Sequence, residues 1–468
     1  MRVLILGLGQ YPKGSGVAAA LYFLRRGDDV TVADFYYTKA MDKNIARLKK
    51  IKNVRFILGR HATKEIKKID LVVRHQRIRS SEPELVAARR LGIPVKSELS
   101  VFLEKCPAPV IGITGTRGKS TTTALIHAML CRGTACRAPT GGKTWLGGNI
   151  LVSPLTFLSK IKPTDIVVLE MSSFQLEGLG DARVSPHIAV WTNLMRDHLN
   201  TYPSMKEYAE AKAQIFCHQK STDTVFLPSD HAFDRYAKQA PGQVYRFGKK
   251  GSPEARLVKN SKLKLLGEHN IKNAEAAAAV ALKLGMDRKA IKRALESFAG
   301  LPDRLETVAI KRGVRYVNDT TATTPDATIA ALNSVIARSH TTKQSPRSPR
   351  RLPRSQSLAR NDKTKLYLIF GGADKELKFD EVARMIKKHP NVKVTLLPGT
   401  AHAKIVKAFR SARVSYEDVK DLKAALSFIR QNIKSGDTVL LSPGCASFGF
   451  FKNEYDRGEQ FKKLLTHF

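Results

Sequence analysis

The stretch Thr114-Gly115-Thr116-Arg117-Gly118-Lys119-Ser120-Thr121 combines two glycines, one lysine and a run of hydroxyl side chains. Small residues let a backbone approach a ligand closely. Successive backbone N–H groups beside a helix start then form a cradle for phosphate. In such a cradle Lys119 reaches the terminal phosphates of a nucleoside triphosphate, and the Ser120 or Thr121 hydroxyl sits on Mg²⁺. The spacing is not that of the commonest phosphate loop, which needs glycine where Ile113 stands. It is the narrower form T-G-T-x-G-K-S-T. A glycine turn that only joins a strand to a helix is the plainer alternative. Against it, an apolar β-branched run at 110–113 precedes the turn and a helical stretch at 119–130 follows.

Other residues could share this chemistry. The run at 166–169 reads as a strand ending on Glu170. A carboxylate there, in a phosphate-loop domain, stands where Mg²⁺ is held, and an ordinary strand-end glutamate is the alternative. The next strand, 188–193, leads to Asp197 and His198, and the histidine offers either a metal ligand or a structural side chain. Lys212 sits among Ala209, Ala211 and Ala213 on a helix over 208–216, where pattern alone favours a solvated lysine. Asn270 and Asn273, three apart at the start of an alanine-rich helix, share a face. Helix capping by Asn270 is compatible with ligand contact by Asn273.

These residues need a scaffold, and the chain reads as three α/β blocks. The first, 1–105, has a strand at 2–6, a Gly7-Leu8-Gly9 turn, a helix at 16–26 and a strand at 30–33 ending in Asp34. That is the order of a Rossmann-like unit. Pro12 replaces the third glycine of the dinucleotide fingerprint, so NAD is not supported. A nucleotide bound otherwise, with Asp34 near a ribose or base, and a turn with no ligand both remain open. Further strands are expected at 54–58, 71–73 and from 94, with a helix at 83–91. The second block, 106–300, carries the phosphate loop. The third, 301–468, follows the break Gly300-Leu301-Pro302-Asp303-Arg304 and alternates again, with strands at 314–318, 366–370, 392–396 and 438–441 and a helix at 327–337. The expected class is α/β with three domains: Rossmann-like, P-loop ATPase-type and Rossmann-like.

With 468 residues the chain is too long for one core, and 43% apolar content is ordinary for globular protein. No apolar run approaches the roughly 20 residues of a membrane span. The start of the chain reads as a strand, not a signal segment. Five cysteines without metal spacing fit a reducing cytoplasm. The net charge of +39 is spread along the chain and carries no recognition motif, so a nucleic-acid partner is not expected. Residues 339–365, with Ser-Pro-Arg twice and no apolar periodicity, read as a disordered basic insertion.

Together these motifs resemble the Mur ligases, the ATP-dependent amino-acid ligases of peptidoglycan synthesis. The resemblance rests on 112–122, 170–176, Asp197-His198, Lys212, 269–273, 300–304, Asn318-Asp319, 371–375 and 442–458, in one order, and spans the chain apart from the insertion. It implies a cytoplasmic, monomeric enzyme that uses ATP and Mg²⁺ to activate a carboxylate as an acyl phosphate. Gly115, Thr116, Arg117, Gly118, Lys119, Ser120 and Thr121 would hold ATP phosphates, and Asn273, Arg304 and Asp319 would contact the nucleotide. Ser120, Glu170, His198 and a carbamylated Lys212 would serve Mg²⁺, with Lys119, His198 and Lys212 as the catalytic set. Thr323, Lys375, Ser447 and Phe448 would receive an amino acid. The first domain, with Gly9 and Asp34, together with Asn149, would take a uridine diphosphate substrate. Lys375 and Ser442-Pro443-Gly444-Cys445-Ala446-Ser447 favour a member that adds glutamate to UDP-N-acetylmuramoyl-L-alanine.

Three positions depart from the family pattern. Thr321 stands where a lysine is frequent, Arg117 replaces a usual asparagine, and His75-Gln76-Arg77 replaces an Asn-Pro-Gly type turn. A sister ligase adding another amino acid is the near rival. A non-catalytic nucleic-acid-binding paralogue is the distant one. Folylpolyglutamate synthase is disfavoured by the hundred residues of α/β domain before the phosphate loop.

Overall fold

The computed structural model describes residues 1–79, 81–132, 141–150, 152–197, 201–265, 268–341 and 364–466. His198, Cys136 and most of the 339–365 insertion lie outside the described residues.

Three sheets organise the chain. The first contains β1 (Arg2–Leu6), β2 (Asp29–Asp34), β3 (Val54–Leu58), β4 (Leu71–Arg74) and β5 (Val95–Ser97), in the order β3-β2-β1-β4-β5. The second contains β6 (Val110–Thr114), β7 (Thr144–Gly148), β8 (Ile166–Glu170), β9 (Ile188–Trp191), β10 (Thr224–Pro228) and β11 (Gln243–Phe247), in the order β11-β10-β9-β6-β8-β7. Both are wholly parallel. The third contains β12 (Glu306–Lys311), β13 (Val314–Asn318), β14 (Leu366–Phe370), β15 (Val392–Leu396), β16 (Tyr416–Asp418) and β17 (Thr438–Leu441), in the order β12-β13-β17-β14-β15-β16. Only its edge strand β12 runs antiparallel. The class is therefore α/β, as expected from the sequence.

Central strands covered on both faces must be apolar throughout, which is why β6, β8 and β14 read as unbroken apolar runs. Every residue of these three strands is buried. Strands the sequence did not reveal carry weaker patterns. Among them, β11 and β12 lie at sheet edges, where most of their residues are exposed or only half-buried.

The chain forms two compact units. One comprises Met1–Leu263 with Glu268–Phe298, and the other Lys264–Gly267 with Ala299–Phe468. The first unit holds two sheets over one continuous core, running from Val3, Ile5 and Val32 through Phe102 and Leu155 to Val167 and Leu169. Among the described residues no helix is long and apolar enough to cross a membrane.

One buried carboxyl sits in this core. Glu98 opens the Glu98–Lys105 helix and is 4% exposed. Burial pushes its pKa up to about 7, partly offset by the Ser153 hydroxyl donating to it. A raised folded-state pKa means stability present below the unfolded value and lost as pH rises from about 4.5 through 7. Glu98→Gln should flatten that decline. At pH 8 the variant should be more stable than wild type by about 1–3 kcal/mol, measured by denaturant unfolding across pH. An unchanged pH slope would refute a titrating Glu98.

Candidate active site

The phosphate loop leaves the C-terminal end of β6, at the middle of its sheet, and enters the Lys119–Arg132 helix. Two glycines make the turn possible. Gly115 has φ +153°, and a Cβ there would lie 2.0 Å from Thr192 Oγ1. Gly118 has φ +79°, and its Cβ would lie 2.1 Å from Asn273 Oδ1. No other residue combines that conformation with that space.

The loop is tied to the segment after β9, because β6 and β9 are neighbours with Thr114 opposite Trp191. The Arg117 backbone N–H donates to Asn193 Oδ1 at 2.9 Å. The Arg117 carbonyl accepts from Thr192 Oγ1 at 2.8 Å and from Asn193 Nδ2 at 2.9 Å. Thr116 N–H donates to the Asn193 carbonyl at 3.1 Å, and the Thr116 hydroxyl donates to the Met195 carbonyl at 3.2 Å. Thr192 and Asn193 hold the loop in place and are not among the residues singled out from the sequence. Their only signal was two polar side chains at the end of an apolar strand.

Two lysines share one oxygen of this loop. Lys119 Nζ donates to the Gly115 and Thr116 carbonyls, both at 3.0 Å. Lys212 Nζ donates to the same Gly115 carbonyl at 3.0 Å. Lys212 comes from the last turn of the Met205–Ala213 helix, which Ser204 caps by accepting from Glu207 N–H at 3.2 Å. Far from solvated, Lys212 is 1% exposed and lies 4.5 Å from the centre of the Tyr208 ring. Burial above all, with the Lys119 charge acting the same way and Asp197 opposing both, lowers its pKa to about 6.

Glu170 lies opposite Ile113 in the β6–β8 register, one residue before the loop begins. It is 3% exposed. One oxygen accepts from Asn149 Nδ2 at 2.9 Å, while the other is buried without a hydrogen-bond partner. A buried carboxylate oxygen left over in this way fits a cation ligand, since an unpaired charge there is costly. Ser120 is half-buried and Thr121 buried on the first turn of the helix. Asn273 is buried, donates to Asn270 Oδ1 at 3.0 Å and backs Gly118. Asn270 lies inside the Glu268–Lys283 helix, not before it, so it is not an N-cap.

In the first sheet, Asp34 turns inward. Its two oxygens accept from Leu8 N–H at 2.8 Å and Tyr36 N–H at 3.0 Å, which braces the Gly7–Gly9 turn. The Gly9 carbonyl accepts from Asn44 at 3.1 Å. Beyond β4, His75 is pushed down to about 4 by burial and the Arg77 charge, against Asp34, so it is neutral and accepts from Arg77 N–H at 3.2 Å.

The second unit, taken by itself, gathers three loops at the C-terminal ends of β13, β14 and β17. Ala373 and Ala446 pair backbone to backbone at 2.9 and 3.1 Å, and Gly444 N–H donates to the Ala322 carbonyl at 2.9 Å. Thr323, Lys375 and Ser447 therefore belong to adjoining loops. Lys375 and Phe448 are exposed, whereas Ser447 is buried with its hydroxyl unpartnered. Asp319 is buried, accepts from Leu305 N–H at 3.1 Å and Ser442 Oγ at 2.8 Å, and is pushed up to about 7 by burial. Arg304, exposed beside it, pulls that value down. Thr321 donates to the Asp303 carbonyl at 2.9 Å.

Comparison with known proteins agrees with this arrangement. The Mur ligase middle domain matches residues 113–281. The UDP-N-acetylmuramoylalanine–D-glutamate ligase of Roseiflexus sp. (strain RS-1) is 36% identical, over 100% of this chain and 98% of its own. The same-named ligase of Acetivibrio thermocellus is 32% identical over 99% and 96%. Among solved structures, the UDP-N-acetylmuramate-alanine ligase of Thermotoga maritima superposes with a TM-score of 0.58 at 19% identity, covering 100% of this chain and 99% of its own. A D-alanyl-D-alanyl-adding ligase from Acinetobacter baumannii gives 0.59 at 17% identity, covering 100% and 93%. At these identities the structural likeness is one of fold.

The loop geometry makes a direct prediction. Gly118→Ala places a methyl against Asn273 in a left-handed backbone position, strain of about 1–3 kcal/mol. Affinity for a fluorescent ATP analogue should fall about ten-fold or more. Unchanged affinity would show that the turn does not hold phosphate.

Proposed function

This chain belongs to the Mur ligase family, and on that premise we propose that it joins D-glutamate to UDP-N-acetylmuramoyl-L-alanine, driven by ATP, in cytoplasmic peptidoglycan precursor synthesis. One observation carries the site assignment. A phosphate loop, a cationic Lys119, a buried Lys212 and the half-partnered Glu170 converge where two neighbouring strands end.

A carboxylate is inert towards amines until one oxygen becomes a leaving group. The proposed enzyme transfers the γ-phosphoryl of ATP to the alanine carboxylate, releasing ADP. The glutamate amine then adds to the acyl phosphate, and the tetrahedral adduct expels inorganic phosphate as the amine proton is lost. The site's main work is to hold several anions together. In this reading the loop amides and Lys119 grip the phosphates, and Thr192 with Asn193 keeps the loop from yielding. Asn273, Arg304 and Asp319 contact the nucleotide. Lys375 pairs with a glutamate carboxylate beside Thr323, Ser447 and Phe448.

Mg²⁺ would neutralise phosphate charge, held by Ser120 and Glu170, with His198 and a carbamylated Lys212 at a second position. The leftover Glu170 oxygen supports this donor set. Carbamylation requires a neutral amine, and a pKa near 6 leaves Lys212 largely uncharged at neutral pH. Its nitrogen adds to CO2 and sheds a proton, and a carboxylate-like ligand replaces a neutral amine. The domains are assigned as 1–105 for the UDP substrate, 106–300 for ATP and 301–468 for the amino acid, acting as a monomer.

Phosphate release in the presence of ATP, Mg²⁺ and UDP-N-acetylmuramoyl-L-alanine tests the reading. D-glutamate should support turnover and L-glutamate, lysine and diaminopimelate should not. Turnover with lysine or diaminopimelate would point to a sister ligase. Lys119→Ala should abolish turnover. Lys212→Ala should lose most of it and regain part with a short added carboxylate. With ¹³C-bicarbonate, wild type should give a carbamate NMR signal that fades below about pH 6 and is absent from the Lys212 variant. A variant as active as wild type would defeat the assignment.

A further inference from the structure

A cavity of about 360 Å³ in the second unit is lined, apart from Ser447, by residues given no role in the reaction above. It opens at the C-terminal ends of β14 and β17, where the strand order of the sheet reverses. Crevices at such a point are the usual ligand sites of doubly wound sheets, and this volume falls within the small-molecule range. Of the residues expected to receive the amino acid, only Ser447 lines it; Thr323, Lys375 and Phe448 do not.

The walls say what would fit. Leu397, Leu422, Phe451 and Leu464 give them an apolar character. Lys423, Arg457 and Lys463 supply three cations against the single carboxylate of Asp421. That carboxylate is already engaged, accepting from Ala424 N–H at 2.7 Å as a helix cap.

Arg457 is the unusual member. It is wholly buried, yet its guanidinium donates only to neutral oxygens: Thr320 Oγ1 at 3.0 Å, the Thr320 carbonyl at 2.9 Å and the Cys445 carbonyl at 3.4 Å. Buried cations ordinarily have a hydrogen-bonded anionic partner, whereas the Glu454 carboxylate acts on Arg457 through its charge without a hydrogen bond among the described residues. Burial lowers its pKa to about 10, so it keeps its charge at neutral pH. Beside it the Ser447 hydroxyl is 3% exposed and unpartnered.

We propose that this cavity is a second small-molecule site, taking a small organic anion whose apolar body packs on the leucines and Phe451 and whose charge meets Arg457 and Lys463. The proposal shares only Ser447 with the glutamate assignment.

The test uses the full chain and 8-anilinonaphthalene-1-sulfonate, an aromatic anion of suitable size. Fluorescence titration should give one saturable site per chain. Lys463→Glu, at an exposed position, should weaken binding at least ten-fold, and Leu464→Trp, which fills the cavity, should abolish it. The uncharged N-phenyl-1-naphthylamine should bind at least ten-fold more weakly, and millimolar D-glutamate should not displace the sulfonate. Absence of saturable binding, or binding unchanged by Lys463→Glu, would overturn the proposal. So would equal affinity for the uncharged dye, or displacement by D-glutamate, which would merge the cavity with the amino-acid pocket. Should Leu464→Trp not fold, Lys463→Glu and the uncharged dye still decide.

Discussion

Two lysines meet on one buried carbonyl, where each ammonium makes the other's charge more costly. Lys119 and Lys212 each donate to the Gly115 oxygen at 3.0 Å. Lys119 is half-buried and also holds the Thr116 carbonyl, whereas Lys212 is 1% exposed. Desolvation and like charge act in the same direction on Lys212, so it yields its proton. The asymmetry separates the roles. On the proposed reading, Lys119 serves phosphate and Lys212, its pKa lowered to about 6, supplies the neutral nitrogen. Neither role follows from residue type alone, because a lysine on an exposed helix face would keep its charge.

That pairing depends on a rigid loop, and the rigidity has two sources. Parallel strands deliver their C-terminal ends to one edge, so Glu170 arrives beside Ile113 and Thr192 beside Gly115 without any long-range search. The ties from Thr192, Asn193 and Met195 then satisfy the polar groups that a glycine turn leaves open. Asn273 closes the other side, leaving no room for a side chain at Gly118. What remains unsatisfied is informative. The spare Glu170 oxygen is buried without a partner beside the loop in register, and the Thr114 and Thr122 hydroxyls are buried without partners close to it in sequence.

How far the sequence was legible varied with the range of the physics. The phosphate loop could be read because its chemistry needs fixed residue types at adjacent positions. Strands β3, β13, β14, β15 and β17 were read with their observed bounds, since wholly buried or alternating runs leave a strong local pattern. Edge strands β11 and β12 escaped because solvent makes few demands on their outward residues. Lys212 was the sharpest divergence between pattern and place. Its alanine neighbours suggest solvent, but the Ser204 cap starts the helix earlier than expected and its side chain ends under the loop. Asp34 illustrates the converse. A strand-end carboxylate expected near a ribose uses both oxygens on its own backbone, an outcome set by the tight Gly7–Gly9 turn.

Thr321 follows the same logic in the second unit. A lysine there would bring a mobile cation towards the glutamate pocket, at a cost in side-chain entropy on ordering. The threonine instead makes a short bond to the Asp303 carbonyl and fixes a residue already in the left-handed region, with φ +63°. The Asp303 carboxylate accepts from Asn318 at 2.7 Å and pairs with Lys462 at 3.2 Å. The turn carrying Arg304 is thus held from both its backbone and its side chain. The exposed Arg304 therefore leaves a turn fixed on both sides. What the threonine contributes here is order in that turn.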